Sequence, residues 1–235
     1  MPTVAIVIPI HNEATFLAQA WEQLAQDLET VAAEVSVFLV ENGSTDRTRE
    51  MAESIQAPSL SVLSLPDADY GAAMKYGFLE GAAADWVVNF DIDYFSIPFV
   101  RNLLGAEADV VIASKRAPGS DDRRSIVRRG GTLAFNMLLR ALFGSRVSDT
   151  HGIKAFRGEV IRKLVPTTTR TQDLFDTELV LRAEMAGYRI SEVPVVVEEL
   201  REARSSFLKR IPRTLRGMIQ LRRSFSMERR NTRSR

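Results

Sequence analysis

The sequence has no cysteine and only two histidines, His11 and His151, among its 235 residues. The absence of cysteine excludes disulfides, thiolate nucleophiles and zinc–thiolate sites. Two histidines disfavour a metal cage built from histidine, and we take His151 to be structural. The chemistry of this chain must therefore come from carboxylates, amides, hydroxyls and cationic side chains.

Long apolar runs are also missing. Residues 3–10 are apolar, but the run is short, has no basic leader and continues directly into polar residues, so we expect no signal peptide. No stretch approaches the roughly 20 apolar residues that a membrane-spanning helix needs. With 45% hydrophobic residues, the composition predicts a folded globular protein, and we expect a cytoplasmic location.

Charge is distributed unevenly along the chain. Of the 31 basic and 30 acidic side chains, residues 201–235 hold 12 basic and 2 acidic ones, which leaves 19 basic and 28 acidic in residues 1–200. A basic tail on an acidic body indicates an anionic surface as the partner of the tail.

Apolar runs alternate with helical patterns over the first half of the chain. Predicted strands cover residues 4–10, 35–40, 60–65, 86–90 and 109–113, and the helices between them cover 13–28, 45–55, 70–84 and 98–104. This alternation predicts an α/β fold with a doubly wound, mostly parallel sheet flanked by helices.

The second half is less regular. We expect a loop over 115–124, a helix over 125–143, a strand-like or irregular segment over 148–156, a helix over 173–186 and a strand over 189–197. The final apolar pattern, 207–225, predicts a basic amphipathic helix that Pro212 splits near residue 211, with disorder after residue 227. We therefore predict one domain over 1–200 and a tail over 201–235.

The fourth predicted strand ends in two carboxylates, Asp91 and Asp93, separated by one residue. Side chains alternate along a strand, so both carboxylates point the same way at the carboxyl end, where open α/β sheets bind ligands. Their mutual repulsion is offset by a cation, and Mg²⁺ on a diphosphate suits such a pair. The alternative is a pair of solvated turn carboxylates.

Two polar loops, residues 9–13 and 41–46, follow the first two strands and should lie at the same edge, where a nucleotide base and ribose would fit. The alternative is a pair of ordinary strand-to-helix turns with capping residues. Neither loop has a Walker or G-x-G-x-x-G pattern.

Together these motifs resemble the family 2 glycosyltransferases of the GT-A fold, and among them the polyprenyl-phosphate (dolichyl-phosphate) mannose and glucose synthases. The resemblance covers roughly residues 3–210. The motifs that carry it are residues 8–13 (Ile-Pro-Ile-His-Asn-Glu), 41–46 (Glu-Asn-Gly-Ser-Thr-Asp), 91–93 (Asp-Ile-Asp), 113–116 (Ala-Ser-Lys-Arg), 128–130 (Arg-Arg-Gly), 148–157, 175–179 and 187–194.

The resemblance implies a role for each matching residue. The nucleotide-sugar site would comprise Pro9, His11, Glu13, Glu41, Asn42 and Asp46. Asp91 and Asp93 would bind the metal, Mg²⁺ or Mn²⁺. Arg116 and Arg129 would bind phosphates. Residues 1–115 would then bind the donor and 116–200 the acceptor. The family often has Tyr at position 11 and Asp-Asp at 41–42, so the base preference of this chain stays open.

The implied activity is inverting, metal-dependent transfer of a hexose from a GDP-mannose or UDP-glucose type donor to polyprenyl phosphate at the cytoplasmic face of the cell membrane. A phosphate acceptor is largely dianionic at neutral pH and attacks unaided. A hydroxyl acceptor on a glycan or glycolipid would need a general base, for which Asp176 and Glu178 are the candidates unless they are cap or salt-bridge carboxylates. The other alternative is a non-catalytic module that binds nucleotide sugar or membrane.

The tail helix suits a lipid acceptor. An apolar face flanked by Arg and Lys is typical of helices that lie on anionic membranes. That face comprises Leu208, Ile211, Leu215, Met218 and Ile219. The alternatives are packing against the protein or a homodimer contact, and no motif predicts nucleic-acid binding.

Overall fold

The structure is a computed structural model that describes residues 1–150, 152–170, 174–197 and 207–233. His151 lies outside the described residues. The strands are β1 (Thr3–Ile10), β2 (Glu34–Asn42), β3 (Leu60–Leu65), β4 (Trp86–Asn89), β5 (Val110–Ser114), β6 (Asp121–Asp122), β7 (Lys154–Arg157), β8 (Ile190–Pro194) and β9 (Val196–Val197). The α-helices are α1 (Leu17–Leu28), α2 (Thr48–Ser54), α3 (Tyr70–Glu80), α4 (Ile97–Leu103), α5 (Ile126–Phe143), α6 (Gly158–Leu164), α7 (Phe175–Met185) and α8 (Phe207–Arg233).

Seven strands form the main sheet in the order β3-β2-β1-β4-β7-β5-β8, and β6 pairs with β9 in a small second sheet. All neighbours in the main sheet are parallel except β7, which runs antiparallel to both β4 and β5. The predicted mostly parallel sheet is confirmed. Because β7 runs in the opposite direction, its first residue, Lys154, lies beside Asn89 at the edge where β4 ends.

An apolar core covers each face of the sheet. Leu17 and Leu24 of α1 and Val100 of α4 pack with Val88 on one face. Phe78 of α3 belongs to the core on the other face, together with side chains of α6 and α7. Helices on both faces are the arrangement that the alternating pattern predicts.

Close approach of α3 to the sheet depends on Gly77. A Cβ at this position would come 2.4 Å from Cγ1 of Val7 and 2.9 Å from Cγ2 of Val40, both of which lie in the sheet. Only a residue without a side chain fits there. The packing holds the amino end of α3, and with it Tyr70, against the carboxyl edge of the sheet.

The tail forms one helix, α8, which continues through Pro212 to Arg233. The helix is continuous across Pro212, so the expected split near residue 211 does not occur, although an interior proline costs a backbone hydrogen bond. The expected disorder after residue 227 is likewise wrong, because the helix continues to Arg233.

The buried side of α8 packs on the protein. Met218, Leu221 and Phe225 form a core cluster with Leu139 of α5 and Leu181 of α7. Met218 therefore packs inward and does not belong to an exposed apolar face, whereas Leu215 and Ile219 remain exposed. Leu208 and Ile211 have side chains outside the described set. Among the described residues, no helix combines the length and apolar character needed to cross a membrane.

Candidate active site

The loops after β1 and β2 interlock at the carboxyl edge of the sheet. The Asn12 backbone amide donates to Oγ of Ser44 at 3.0 Å, and the Thr45 amide donates to Oδ1 of Asn12 at 2.8 Å. Asn12 adopts a left-handed conformation with φ of 55°, which Asn tolerates better than most residues. The two polar loops predicted at this edge therefore form one surface.

His11 is oriented by both of its ring nitrogens. Nδ1 lies 2.7 Å from the carbonyl oxygen of Asn42, which can only accept, so Nδ1 carries the proton. Nε2 then accepts from the Asn12 side-chain amide at 3.1 Å. With both nitrogens engaged, the orientation of the His11 ring at this edge is fixed.

The acidic residues of these loops stabilise the loop conformation. Glu41 is buried and accepts from the Ser44 amide at 2.6 Å, and Oδ1 of Asn42 accepts from the Asp69 amide at 2.7 Å. Asp46 accepts from the Thr48 amide at the start of α2, and the Thr48 hydroxyl is the main cause that lowers the Asp46 pKa. These hydrogen bonds fix the conformation of the two loops that form the surface. Pro9 lies in β1, directly opposite Val40 of β2.

Glu13 joins the first loop to α2. Its backbone amide donates to the Thr48 hydroxyl oxygen at 2.7 Å, and the residue as a whole is buried. Of the predicted donor-binding residues, Glu13 and Asp46 therefore meet at the start of α2, where both contact Thr48.

Three carboxylates converge beyond the end of β4. Asp91 is exposed to solvent at this edge of the sheet, although surrounding protein atoms partly desolvate its carboxyl group. Its pKa is raised from 3.8 to about 6, first by its partial removal from water and then by the negative charges of Asp93 and Asp176. The alternation along the strand predicts that Asp91 and Asp93 lie together; the structure adds Asp176 from α7.

Buried groups beneath this cluster partly offset its charge. The Tyr70 hydroxyl donates to Oδ2 of Asp176 at 3.0 Å, and the fully buried Lys154 Nζ lies 3.6 Å from the same oxygen. Lys154 also donates to the Gly152 carbonyl at 2.5 Å. Burial and the charges of Asp176 and Asp91 raise the pKa of Tyr70 well above its ordinary value, so this hydroxyl remains a donor.

The carboxylate cluster fits a divalent cation that arrives with a diphosphate. Removal from water raises the pKa of Asp91 first, the charges of Asp93 and Asp176 raise it further, and Oδ1 of Asp176 is buried without a hydrogen-bond partner in the described part of the chain. The contributions of Asp93 and Asp176 indicate mutual repulsion within the cluster, and Oδ1 of Asp176 is an oxygen that a ligand could still engage. Across the described ranges, no three or more acidic or histidine side chains are arranged to hold a metal by themselves. A metal on Asp91 and Asp93 would therefore need oxygens from its ligand.

One cation directly after β5, Lys115, is close enough to act on the cluster. Lys115 pairs with the buried Asp149 at 2.9 Å, and its charge lowers the pKa of Asp91. Arg116 follows Lys115, and Arg129 lies in the first turn of α5; both are exposed. Their exposure leaves both guanidinium groups accessible to a phosphate.

Glu178 occupies a different environment from Asp176, although both lie on α7. It is fully buried and accepts from the backbone amides of Thr169 and Arg170 and from the Arg182 guanidinium at 2.8 Å. Arg182 in turn pairs with Glu228 of α8 at 2.9 Å. These contacts indicate a structural role for Glu178. Through Arg182, the same network also holds the tail helix.

Sequence reasoning missed Tyr70, Lys154 and Glu192. Glu192 accepts from the Ser148 amide at 2.9 Å and from the Asp149 amide at 3.2 Å, and it thereby holds the loop before β7. Lys154 and Glu192 lie within the motifs 148–157 and 187–194, and Lys154 also stands out as a charged residue between the apolar Ile153 and Ala155. Tyr70 has ordinary sequence surroundings, and only the fold places it in the site.

Comparison with known proteins assigns a family to this arrangement. The family model "Glycosyl transferase family 2" matches residues 5–165. Glycosyltransferase AglD of Haloferax volcanii is 29% identical over 203 residues, which span 82% of this chain and 32% of the relative. The dolichyl-phosphate hexose transferase of the same organism is 27% identical over 202 residues, 83% of each chain. The chain thus spans about a third of the first relative and most of the second.

A solved structure shows the same fold. Glucosyl-3-phosphoglycerate synthase from Mycobacterium tuberculosis, crystallised with Mn²⁺, uridine diphosphate and phosphoglyceric acid, superposes with a TM-score of 0.69. Identity is 21%, and the match covers 94% of this chain and 78% of the synthase. The similarity confirms the GT-A fold predicted from the sequence.

Proposed function

The chain belongs to glycosyl transferase family 2, and we propose that it transfers a hexose from a nucleoside-diphosphate sugar to a polyprenyl phosphate, with inversion at the anomeric carbon. The observation that carries the proposal is the Asp91, Asp93 and Asp176 cluster beside the interlocked loops of β1 and β2. The mutual repulsion of these carboxylates suits a metal-bound diphosphate, and the loops supply a surface for the base and ribose.

The donor would extend from the His11 ring to the carboxylates. His11 would stack on the base, and Asp91 and Asp93 would hold Mg²⁺ or Mn²⁺ on the diphosphate. When bound, this metal would neutralise charge on the leaving diphosphate. A metal requirement is supported by the relative crystallised with Mn²⁺ and uridine diphosphate, and the donor types we favour are GDP-mannose and UDP-glucose.

The acceptor side favours a phosphate over a hydroxyl. Glu178 is enclosed by Thr169, Arg170 and Arg182, and Asp176 is held by Tyr70 and Lys154. The enclosure of Glu178 does not suit a base that takes a proton from an alcohol, and the only Asp176 oxygen outside these contacts, Oδ1, is buried. A phosphate monoester has a second pKa near ~6, so at neutral pH its oxygen attacks without a base.

In the transfer itself, an acceptor phosphate oxygen bonds to the anomeric carbon as the bond from that carbon to the donor diphosphate breaks. The nucleoside diphosphate leaves with the bonding electron pair, and a single displacement from the opposite side inverts the configuration. Arg116 and Arg129 would bind phosphates with forked guanidinium groups and, with the metal, would stabilise the negative charge that develops on the leaving diphosphate. The dolichyl-phosphate hexose transferase relative supports an acceptor of this kind.

This assignment predicts a peripheral position at the inner face of the cell membrane, with the tail helix and its basic residues near anionic lipid. Residues 1–200 would form the catalytic domain and 201–235 the tail, although the Met218, Leu221 and Phe225 contacts attach the tail firmly to that domain.

Donor binding tests the first half of the proposal. Calorimetric titration with GDP, UDP, GDP-mannose and UDP-glucose, with and without Mn²⁺, should show metal-dependent binding of one nucleotide class. Asp93→Ala should abolish this binding, whereas Glu29→Gln, an exposed change beyond α1, should not alter it. Unchanged donor affinity in the Asp93 variant would refute the metal assignment.

A further inference from the structure

A carboxylate on the edge strand β8, Glu192, holds the start of the loop that precedes β7. Its Oε1 accepts from the backbone amides of Ser148 and Asp149 at 2.9 and 3.2 Å and from the Ser148 hydroxyl at 2.8 Å. Parallel pairing of β8 with β5 sets Glu192 beside Ile112, two residues before the end of β5 at Ser114. Three donors on one oxygen therefore fix Ser148 and Asp149 next to the carboxyl end of β5.

The Ser148 hydroxyl extends this contact to Arg116. A serine hydroxyl has one hydrogen to donate and an ionised carboxylate can only accept, so Ser148 donates to Glu192. The Ser114 hydroxyl, whose Oγ lies 2.8 Å from Oγ of Ser148, must then donate to Ser148. The lone pairs of the buried Ser114 Oγ remain for the Arg116 backbone amide, which donates to it at 3.2 Å. A directed series of hydrogen bonds thus runs from the Arg116 backbone through two hydroxyls to Glu192.

A second connection joins the same loop to the residue before Arg116. Oδ2 of the fully buried Asp149 accepts from the Lys115 ammonium group at 2.9 Å and from the Lys115 backbone amide at 3.3 Å. Glu192 in turn holds the backbone amide of Asp149. The segment that carries Arg116 is therefore attached to Glu192 at two consecutive residues, once through Ser114 and once through Lys115.

We propose that Glu192 is a positioning residue for transfer, which sets the backbone from which Arg116 reaches a phosphate. The inference rests on the proposed function, in which Arg116 stabilises the leaving diphosphate. The Arg116 side chain is exposed, so its guanidinium group reaches a phosphate only from where this backbone places it. A misplacement of about 1 Å costs up to about 100-fold in rate, which makes such a remote carboxylate matter for turnover. Glu192 acts through Ser148 and Asp149 and has no contact with the reacting atoms in this scheme.

Steady-state transfer to a short-chain prenyl phosphate tests this role. Glu192→Met removes the acceptor and should lower kcat about 10- to 100-fold, whereas KM for the donor should change about threefold or less, because Arg116 acts on charge that develops in the transition state. Glu192→Gln should restore most of kcat, because its carbonyl oxygen accepts the same hydrogen bonds. Glu184→Met is the matched control: Glu184 is also partly buried and accepts a backbone amide, that of Arg146, at 2.6 Å. The control should keep the wild-type kcat.

The Arg116→Ala background separates positioning from a general loss of structure. If Glu192 acts through Arg116, Glu192→Met should slow transfer by about threefold or less once Arg116 has been removed, since coupled residues are not additive. A loss of equal size in both backgrounds would overturn the proposal. So would a wild-type kcat in Glu192→Met, or a Glu192→Gln variant as slow as Glu192→Met.

Amide hydrogen exchange supplies a readout that needs no turnover. The backbone amides of Arg116 and Asp149 should exchange about tenfold faster or more in Glu192→Met than in the wild type, and at the wild-type rate in Glu184→Met. Unchanged exchange at Arg116 in Glu192→Met would overturn the positioning role. If the wild type transfers no hexose from any donor, the proposed function fails, and the exchange result alone then decides whether Glu192 anchors Arg116.

Discussion

The Tyr70 hydroxyl lies 3.0 Å from Oδ2 of Asp176, although the two residues are 106 positions apart in the sequence. Lys154, which is fully buried, lies 3.6 Å from the same oxygen. Asp176 therefore has a hydrogen-bond donor and a cation on one side and the Asp91 charge on the other. This arrangement fits a group that shapes the electrostatics of the site, and it fits poorly with a carboxylate that must exchange protons.

Asp176→Asn tests this view of the site. If the acceptor is a phosphate, transfer should continue with kcat reduced by about tenfold or less, because no proton has to be removed. A general base would contribute about 10²–10⁴-fold, so a loss of that size, with the acid limb of the pH–rate profile abolished, would support a hydroxyl acceptor. Glu29→Gln serves as the remote control in the same assay.

Lys154→Met should destabilise the protein strongly. The change leaves the Asp176 carboxylate without its buried cation, and breaking such a pair costs about 3–5 kcal/mol. Urea unfolding at neutral pH measures the loss. The double variant Lys154→Met/Asp176→Asn should lose less than the sum of the two single changes, because it removes both charges. Simple additivity of the two changes would show that the residues are not coupled.

Asp91→Asn should stabilise the metal-free protein at neutral pH. The folded-state pKa of Asp91 is raised from 3.8 to about 6, so the stability that its proton provides is present below pH 3.8 and lost as the pH rises through 6. Asparagine carries no charge, so the variant avoids this loss. We expect its free energy of unfolding at neutral pH to be higher by about 1 kcal/mol, because solvent screens the charge of the exposed Asp91.

The measurement is the free energy of unfolding in EDTA as a function of pH. The advantage of the Asp91→Asn variant over the wild type should shrink towards pH ~4, where the wild-type carboxyl is protonated in the folded state. A variant that is less stable than the wild type at neutral pH would contradict the charge repulsion inferred for this cluster.

Gly77→Ala should destabilise the fold by about 1–3 kcal/mol, because overpacking in a dense core has costs of this size. The added Cβ would lie 2.4 Å from Val7 Cγ1 and would push α3 off the sheet. Gly105→Ala is the matched control, since nothing lies within 4 Å of a Cβ there. Equal thermal melting temperatures for the two variants would show that α3 adjusts without cost.

Much of the first half of the fold could be predicted because its signals are local. The apolar runs of β1, β2 and β4 and the polar residues that end them identify both the sheet and its ligand-binding edge. The sequence also indicated that Asp91 and Asp93 lie together, but not how: β4 ends at Asn89, and both carboxylates lie in a turn that backbone hydrogen bonds between Asp91 and Tyr94 close, so alternation along a strand does not account for their pairing.

The rest depends on contacts between distant segments. Lys154 becomes part of the site because β7 inserts antiparallel between β4 and β5, and nothing in its own sequence specifies that insertion. Glu178 and Asp176 look equivalent in the sequence, yet Arg182 and the Thr169 and Arg170 amides enclose only Glu178. The helical pattern of the tail places both Met218 and Ile219 on one apolar face. In the structure Met218 is buried with Leu139 and Leu181, whereas Ile219 is exposed.

The most direct test of the central claim is to incubate the protein with Mn²⁺, a GDP- or UDP-hexose and a short-chain prenyl phosphate, and to determine the product and its anomeric configuration by NMR. The account predicts a prenyl-phosphate hexose with inverted configuration, formed only with metal and lost in Asp93→Ala. Transfer only to hydroxyl acceptors, or a product that retains the donor configuration, would contradict it.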